Sequence, residues 1–193
     1  MVKLIQLEKG SIIMIYVFLA QGFEETEAIV PIDLLRRAGK NVKTVSITND
    51  LKITGSHGIP VTADKKLSGI SLDEIEMIVL PGGMPGTLNL NFSDPLECVI
   101  NYAIENNKYI GAICAAPSIL GNKGLLEGKK ATCYPGFEKR LKGAEVLEES
   151  VVVDGKLITA RGAGVATEFG LTLVEALCGK EKRDEIAKSI CFE

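Results

Sequence analysis

The chain has 193 residues, 46% of them apolar, and a formal net charge of −3. That length suits one domain with a full hydrophobic core. Charges of both signs are mixed along the chain, which excludes the basic footprint of a nucleic-acid binder. Aromatic residues are few and tryptophan is absent, which argues against a stacking platform for single strands.

Lys3 and the run IIMIYVFLA (12–20) look faintly like a signal peptide. The run is too short to span a membrane. The QGFEETEA that follows is acidic and lacks a small-x-small cleavage pattern. The run therefore reads as a buried first strand over 12–19, preceded by an extension over 1–11. Met14 could itself begin the domain. Further continuous, β-branched runs lie at 42–47, 76–83, 109–114 and 156–162, with amphipathic helical segments at 24–38, 94–106, 115–120, 165–178 and about 180–190. Buried strands alternating with helices predict an α/β fold with a mainly parallel sheet covered on both faces. The stretch 50–64 and the segment 144–160, with its Asp-Gly pair, read as hairpin excursions. No linker or repeat divides the chain, so 12–193 reads as one domain.

Sites in such sheets lie outside the carboxyl ends of the strands. That rule selects AQGFEE after the first strand, PGGMPG after 76–80, CAAP after 109–113 and RGAG after 156–160. Five scattered cysteines and one histidine, His57, form no paired metal-ligand spacing. No metal and no cofactor are expected, and the odd number of thiols points to a reducing, cytoplasmic compartment.

Cys114 stands where a strand hands over to a helix. An elbow there holds the sulfur out, and the following helix aims free N–H groups at it, which favours thiolate. Ala115 and Ala116 leave room for a small substrate. The amide of Ala115, with those of Gly82 or Gly83, can form an oxyanion hole. Against this, most free cysteines are buried packing, and position alone leaves both readings open. Glu27 shares an otherwise apolar helix face with Pro31, Leu34, Leu35 and Ala38, where a carboxyl tends to keep its proton. Glu24 and Glu25 read as ordinary first-turn acids suited to the helix dipole, with Glu25 on another side of the helix. Pro31 removes the N–H that would bond the Glu27 carbonyl and predicts a kink. His57, in the first hairpin, reads as a surface or pocket-rim residue.

The segments AQGFEETEAIVPIDLLRRAG, VLPGGMPG, AICAAPSIL, TCYPG and TARGAGVATEFGLTLVEAL together resemble the ThiJ/PfpI superfamily, in order, from about residue 13 to residue 182. The match is to its DJ-one (Parkinson disease protein 7) branch, which includes bacterial YajL-like members. The resemblance implies a flavodoxin-like three-layer sandwich of the class I glutamine amidotransferase-like type, and a homodimer. It places the reactive cysteine at Cys114, the buried glutamate at Glu27 and the pocket glycines at Gly82 and Gly83. Tyr134 falls where some members carry a pocket histidine, and His57 where some carry a pocket arginine. Arg37 matches a basic residue near the family's dimer interface. Ala115 stands where the protease branch has a histidine.

The activity so implied is protection against reactive carbonyls and oxidative stress. It takes the form of glutathione-independent glyoxalase or deglycase chemistry on small reactive aldehydes, such as methylglyoxal, or on glycated groups. A redox sensor or chaperone with little turnover is the rival reading. A cysteine peptidase or amidase is a third, weakened because such a nucleophile needs an adjacent base. No membrane or specific nucleic-acid partner is expected.

Overall fold

The structure is a computed structural model and describes residues 13–192. The predicted extension over 1–11 lies outside the described residues. In chain order the elements are β1 (Met14–Leu19), α1 (Glu25–Arg37), β2 (Val42–Ser46), β3 (Lys52–Thr54), β4 (Pro60–Thr62), β5 (Lys65–Lys66) and β6 (Ile75–Leu80). There follow α2 (Gly86–Asn91), α3 (Asp94–Glu105), β7 (Tyr109–Ile113), α4 (Pro117–Asn122), β8 (Lys130–Ala131) and β9 (Glu145–Val146). The chain then forms β10 (Val151–Asp154), β11 (Leu157–Ala160), α5 (Ala166–Cys178) and α6 (Lys180–Ser189).

Seven strands form the main sheet in the order β10-β11-β7-β6-β1-β2-β5. All its pairings are parallel except β10 with β11. The parallel strands read as unbroken apolar runs because both faces are covered. On β1, Ile15, Val17 and Leu19 enter a core with Leu34 and Leu35 of α1, Phe169 of α5 and Ile186 of α6. The intervening Tyr16 and Phe18 point to the other face and pack with Leu90 of α2, Val99 of α3 and Ile119 of α4. The result is a three-layer α/β sandwich, as the sequence predicts.

Both predicted hairpins form. β3 and β4 pair antiparallel, and β10 turns into β11 at Asp154-Gly155, with Gly155 at φ 61°. Helix α2 is an addition to the sequence reading. Its GTLNLN sequence has little intrinsic helicity, and burial of Thr87 and Leu90 supplies what propensity does not. The helix expected over 115–120 starts later, at Pro117, and has six residues. Pro31 lies inside α1, which runs as one helix from Glu25 to Arg37.

Four strands matter for the site. β11, β7, β6 and β1 are consecutive neighbours in the sheet, so the four loops picked out in the sequence leave adjacent strand ends. The chain proceeds from β1 to β2 on one side and to β6 on the other, which makes a switch point between β1 and β6.

Helices α1 and α5 meet without a side chain at Gly170. A Cβ there would lie 2.6 Å from Leu34 Cδ1 and 3.2 Å from Pro31 Cα. Gly170→Val should therefore overpack the contact and lower unfolding free energy by about 2 kcal/mol, read by denaturant titration. A variant as stable as the parent would show that the two helices can separate at no cost.

Candidate functional site

The site begins with backbone packed on backbone. The loop after β6, PGGMPG, lies against the loop after β1, QGFE. Glu24 N donates to Gly82 O at 2.9 Å and Gly86 N to Gly22 O at 3.0 Å, while Thr87 N closes the second loop on its own Gly83 O at 2.8 Å. A Cβ on Gly83 would come within 2.4 Å of Glu24 N, and Gly83 also sits at φ 88°. Only glycine meets both demands there. This contact sets the first turn of α1 directly over the strand ends.

Glu24 caps that turn, its carboxylate accepting from Glu27 N at 2.6 Å. Glu27 is 1% exposed, and its Oε2 accepts from Gly82 N at 2.9 Å. The contacts around Gly82 close the geometry: a Cβ there would lie 2.6 Å from Glu27 Oε2, 2.7 Å from Cys114 Cβ and 3.1 Å from Cys114 Sγ. Carboxyl and thiol thus meet over a residue that has no room for a side chain.

Cys114 follows β7 with φ 65°, the left-handed region that a non-glycine residue occupies at a cost. Both of its backbone groups are tied. Its N donates to Ala160 O at the end of β11, and its O accepts from Tyr134 N, each at 2.8 Å. The elbow is therefore held from two flanking segments, and the half-buried sulfur faces the first turn of α1.

Burial pushes the Glu27 carboxyl up to about 7, and the charge of Glu24 adds to this, against hydrogen bonds from Cys114 and from the Gly82 and Ala163 amides. Burial likewise pushes the Cys114 thiol up to about 12, and the charge of Glu27 adds to it, against the amides of Gly83 and Ala115. The expectation of a thiolate favoured by the following helix is thereby corrected. The helix is six residues long and begins three residues after Cys114, too short and too distant to outweigh burial beside a carboxylate. Between the two values the pair holds one proton.

The other predicted residues are placed differently. Tyr134 is half exposed, and its ring packs at Gly162, where a Cβ would lie 3.3 Å from Tyr134 Cδ2 and 3.8 Å from Glu27 Oε1. Its ring thus stands beside the pair. The Gly82 amide is taken by Glu27, which leaves those of Gly83 and Ala115 as the donors facing the sulfur. His57 is paired with Glu25, Nδ1 to Oε2 at 2.9 Å, and its side chain is 70% exposed. Arg37 is not in the pocket of its own chain. It pairs with Asp33 at 2.7 Å, near the far end of α1, about 15 Å of helix rise from Glu27.

Sequence reasoning missed Glu25. It reads from the sequence as an ordinary first-turn acid, yet it is 7% exposed. Burial works to raise its carboxyl, but the His57 side chain and the amides of His57 and Ile59 hold it down at about 2. No local signal marks this role, because its partners lie 31 to 34 residues away. Glu24, Glu25 and His57 bring one ligand atom each within 4.8 Å of one another. Their mutual pairing accounts for this cluster without an ion. All five cysteines are free. Cys114 borders one face of the sheet and Cys133 the other, so the two are not disulfide partners.

Fold and site together define a three-layer α/β protein with a strained elbow cysteine facing a buried glutamate. The chain belongs to the DJ-1/PfpI family, whose model matches residues 14–176. It is 45% identical over 170 residues to Protein DJ-1 homolog B of Arabidopsis thaliana, covering 87% of this chain. It spans only 39% of that protein and 44% of Arabidopsis homolog A. Glutathione-independent glyoxalase DJR-1.2 of Caenorhabditis elegans is 30% identical, with 88% of this chain and 90% of the relative covered. The crystal structure of Drosophila melanogaster DJ-1beta superposes with TM-score 0.90 at 35% identity, over 94% of this chain and 98% of that one. Among the described residues no helix is long and apolar enough to cross a membrane.

Two outcomes follow from the pair. Gly82→Ala should force Glu27 and Cys114 apart and change the rate of Cys114 alkylation by iodoacetamide, with the fold retained by circular dichroism. An unchanged rate would mean that the loop yields instead. Glu27 titrates above its ordinary 4.5, so its contribution to stability is full below that value and is lost as pH rises through about 7. The unfolding free energy of the parent relative to Glu27→Gln should therefore fall across that window. A flat difference would place the carboxyl at its ordinary value.

Proposed function

We propose that this chain is a glutathione-independent glyoxalase-type enzyme that detoxifies small reactive aldehydes, with Cys114 as nucleophile and Glu27 as general acid and base. The observation that carries the reading is the close approach of a buried carboxyl, Glu27, to the Cys114 thiol across Gly82. The named activity of the Caenorhabditis relative supports it. Residues 12–193 act as one domain, in the cytoplasm and as a homodimer, in this reading.

On methylglyoxal, sulfur adds to the aldehyde carbon as the thiol proton passes by way of Glu27 to the new oxygen, giving a hemithioacetal. The Gly83 and Ala115 amides stabilise that oxygen while it carries charge. The Glu27 carboxylate takes the proton from the same carbon and returns it to the neighbouring carbonyl carbon, whose oxygen receives the hydroxyl proton. The product of this internal redox shift is a thioester of lactate. Water then cleaves the thioester, releasing lactate and restoring the thiol. The sum is aldehyde plus water, and no outside oxidant or reductant is consumed. A carboxyl titrating near neutrality suits both proton transfers.

The same geometry weighs against the rival readings. A peptidase needs a base beside the sulfur, and His57 is bound to Glu25 while Ala115 follows the cysteine. A redox sensor needs a ready thiolate, and burial together with the charge of Glu27 pushes the thiol up. The deglycase reaction on glycated groups begins with the same sulfur and asks for a larger opening.

Purified protein should convert methylglyoxal to lactate without glutathione. Cys114→Ser should abolish this, and Glu27→Gln should lower kcat by about a hundredfold or more. Parent rates no better than those of Cys114→Ser would remove the proposal. Under mild peroxide, mass spectrometry should show Cys114 gaining oxygen no faster than Cys98. Selective oxidation at Cys114 without turnover would favour the sensor.

A further inference from the structure

The β3–β4 hairpin contributes no group to the chemistry above, yet it is tied tightly to the turn that carries Glu27. Gly22 N donates to Thr54 O at 2.8 Å, and Ser56 N donates to Phe23 O at 2.7 Å. The hairpin loop then converges on one side chain, Glu25. Its Oε1 accepts from His57 N at 2.9 Å and Ile59 N at 3.3 Å. Its Oε2 meets Ser56 Oγ at 3.3 Å and His57 Nδ1 at 2.9 Å. Gly55 packs so closely that a Cβ there would lie 2.3 Å from Glu25 Cδ.

Glu25 precedes Glu27 by two residues, in the first turn of the same helix. That turn is therefore gripped from two sides. The Gly82–Gly83 loop holds it through Glu24 and Glu27, and the hairpin holds it through Glu25. A helix end gripped on one side alone can pivot, and a carboxyl misplaced by a fraction of an ångström loses proton-transfer efficiency.

We infer that Glu25 is a positioning residue: by clasping the β3–β4 hairpin loop it fixes the first turn of α1 so that the Glu27 carboxyl meets the Cys114 thiol in reacting geometry. The inference rests on the glyoxalase reading for its effect on turnover, and on the Cys114–Glu27 contact alone for its effect on the thiol. Charge is not what the clasp requires. A glutamine at position 25 keeps an oxygen for the two amides and turns its NH2 to Ser56 Oγ and to Nδ1 of neutral His57. An alanine loses all four contacts.

The test compares Glu25→Ala, Glu25→Gln and Gly55→Ala with the parent in two assays. One is steady-state turnover of methylglyoxal, and the other is the pH profile of Cys114 alkylation by iodoacetamide. Glu25→Ala should lower kcat by about tenfold to a hundredfold with KM little changed, and should shift the alkylation profile. Glu25→Gln should restore both. Gly55→Ala, which drives a methyl group against the Glu25 carboxyl, should act in the same direction as Glu25→Ala. It serves as the reading if that variant does not fold. Folded Glu25→Ala with the parent's kcat and alkylation profile would overturn the inference, as would an equal loss in Glu25→Gln. If the parent shows no turnover, the glyoxalase reading fails while the alkylation profiles still decide the role of Glu25.

Discussion

The structure turns on one close approach: Gly82 lies between the Glu27 carboxyl and Cys114 with no space for a Cβ. Because that residue is a glycine, a carboxyl from the first turn of α1 and a thiol from the elbow after β7 come into contact. Everything nearby serves that contact. The backbone ladder between QGFE and PGGMPG seats α1, and the strained φ of Cys114 turns the sulfur toward it. The amide of Gly82 orients the carboxylate that its missing side chain admits.

Burial at this contact has a chemical consequence. Away from water, neither acid gives up its proton at its ordinary value; Glu27 raises the thiol further, while the hydrogen bond from Cys114 only partly offsets the burial of the carboxyl. A free thiolate is therefore not the resting state. In the proposed reaction the pair moves one proton between sulfur, carboxyl and substrate, which is the requirement for isomerising a hemithioacetal. Glu24 and Glu25 occupy the same helical turn with different partners. Glu24 caps the turn, and Glu25 stays ionised at the hairpin because backbone amides and His57 point at it. Three glutamates within four residues thus differ by their partners and not by their position in the dipole of the helix.

Much of the fold was legible in the chain. Unbroken apolar strands alternating with amphipathic helices imply a covered parallel sheet, and the Asp-Gly pair locates the last hairpin. Cys114 at a strand end and Glu27 on an apolar helix face stood out for local reasons. The short helix α2 did not, since its burial and not its propensity makes it helical. Glu25 reads as an ordinary first-turn acid because a helical wheel knows only its own helix, and the amides that hold Glu25 come from the hairpin. Arg37 illustrates the converse: a basic residue matched by resemblance lies far along α1, held by Asp33.

The sequence by itself determined the layers, the four strand-end loops and the residue types able to do chemistry, because periodicity and turn residues are local properties. Only the tertiary structure decided that β11, β7, β6 and β1 lie side by side, so that those four loops form one site. It also decided the protonation of the pair. A pKa depends on the burial and charges that surround a group, and these come in part from distant segments: the Gly82 amide that meets Glu27 lies 55 residues along the chain.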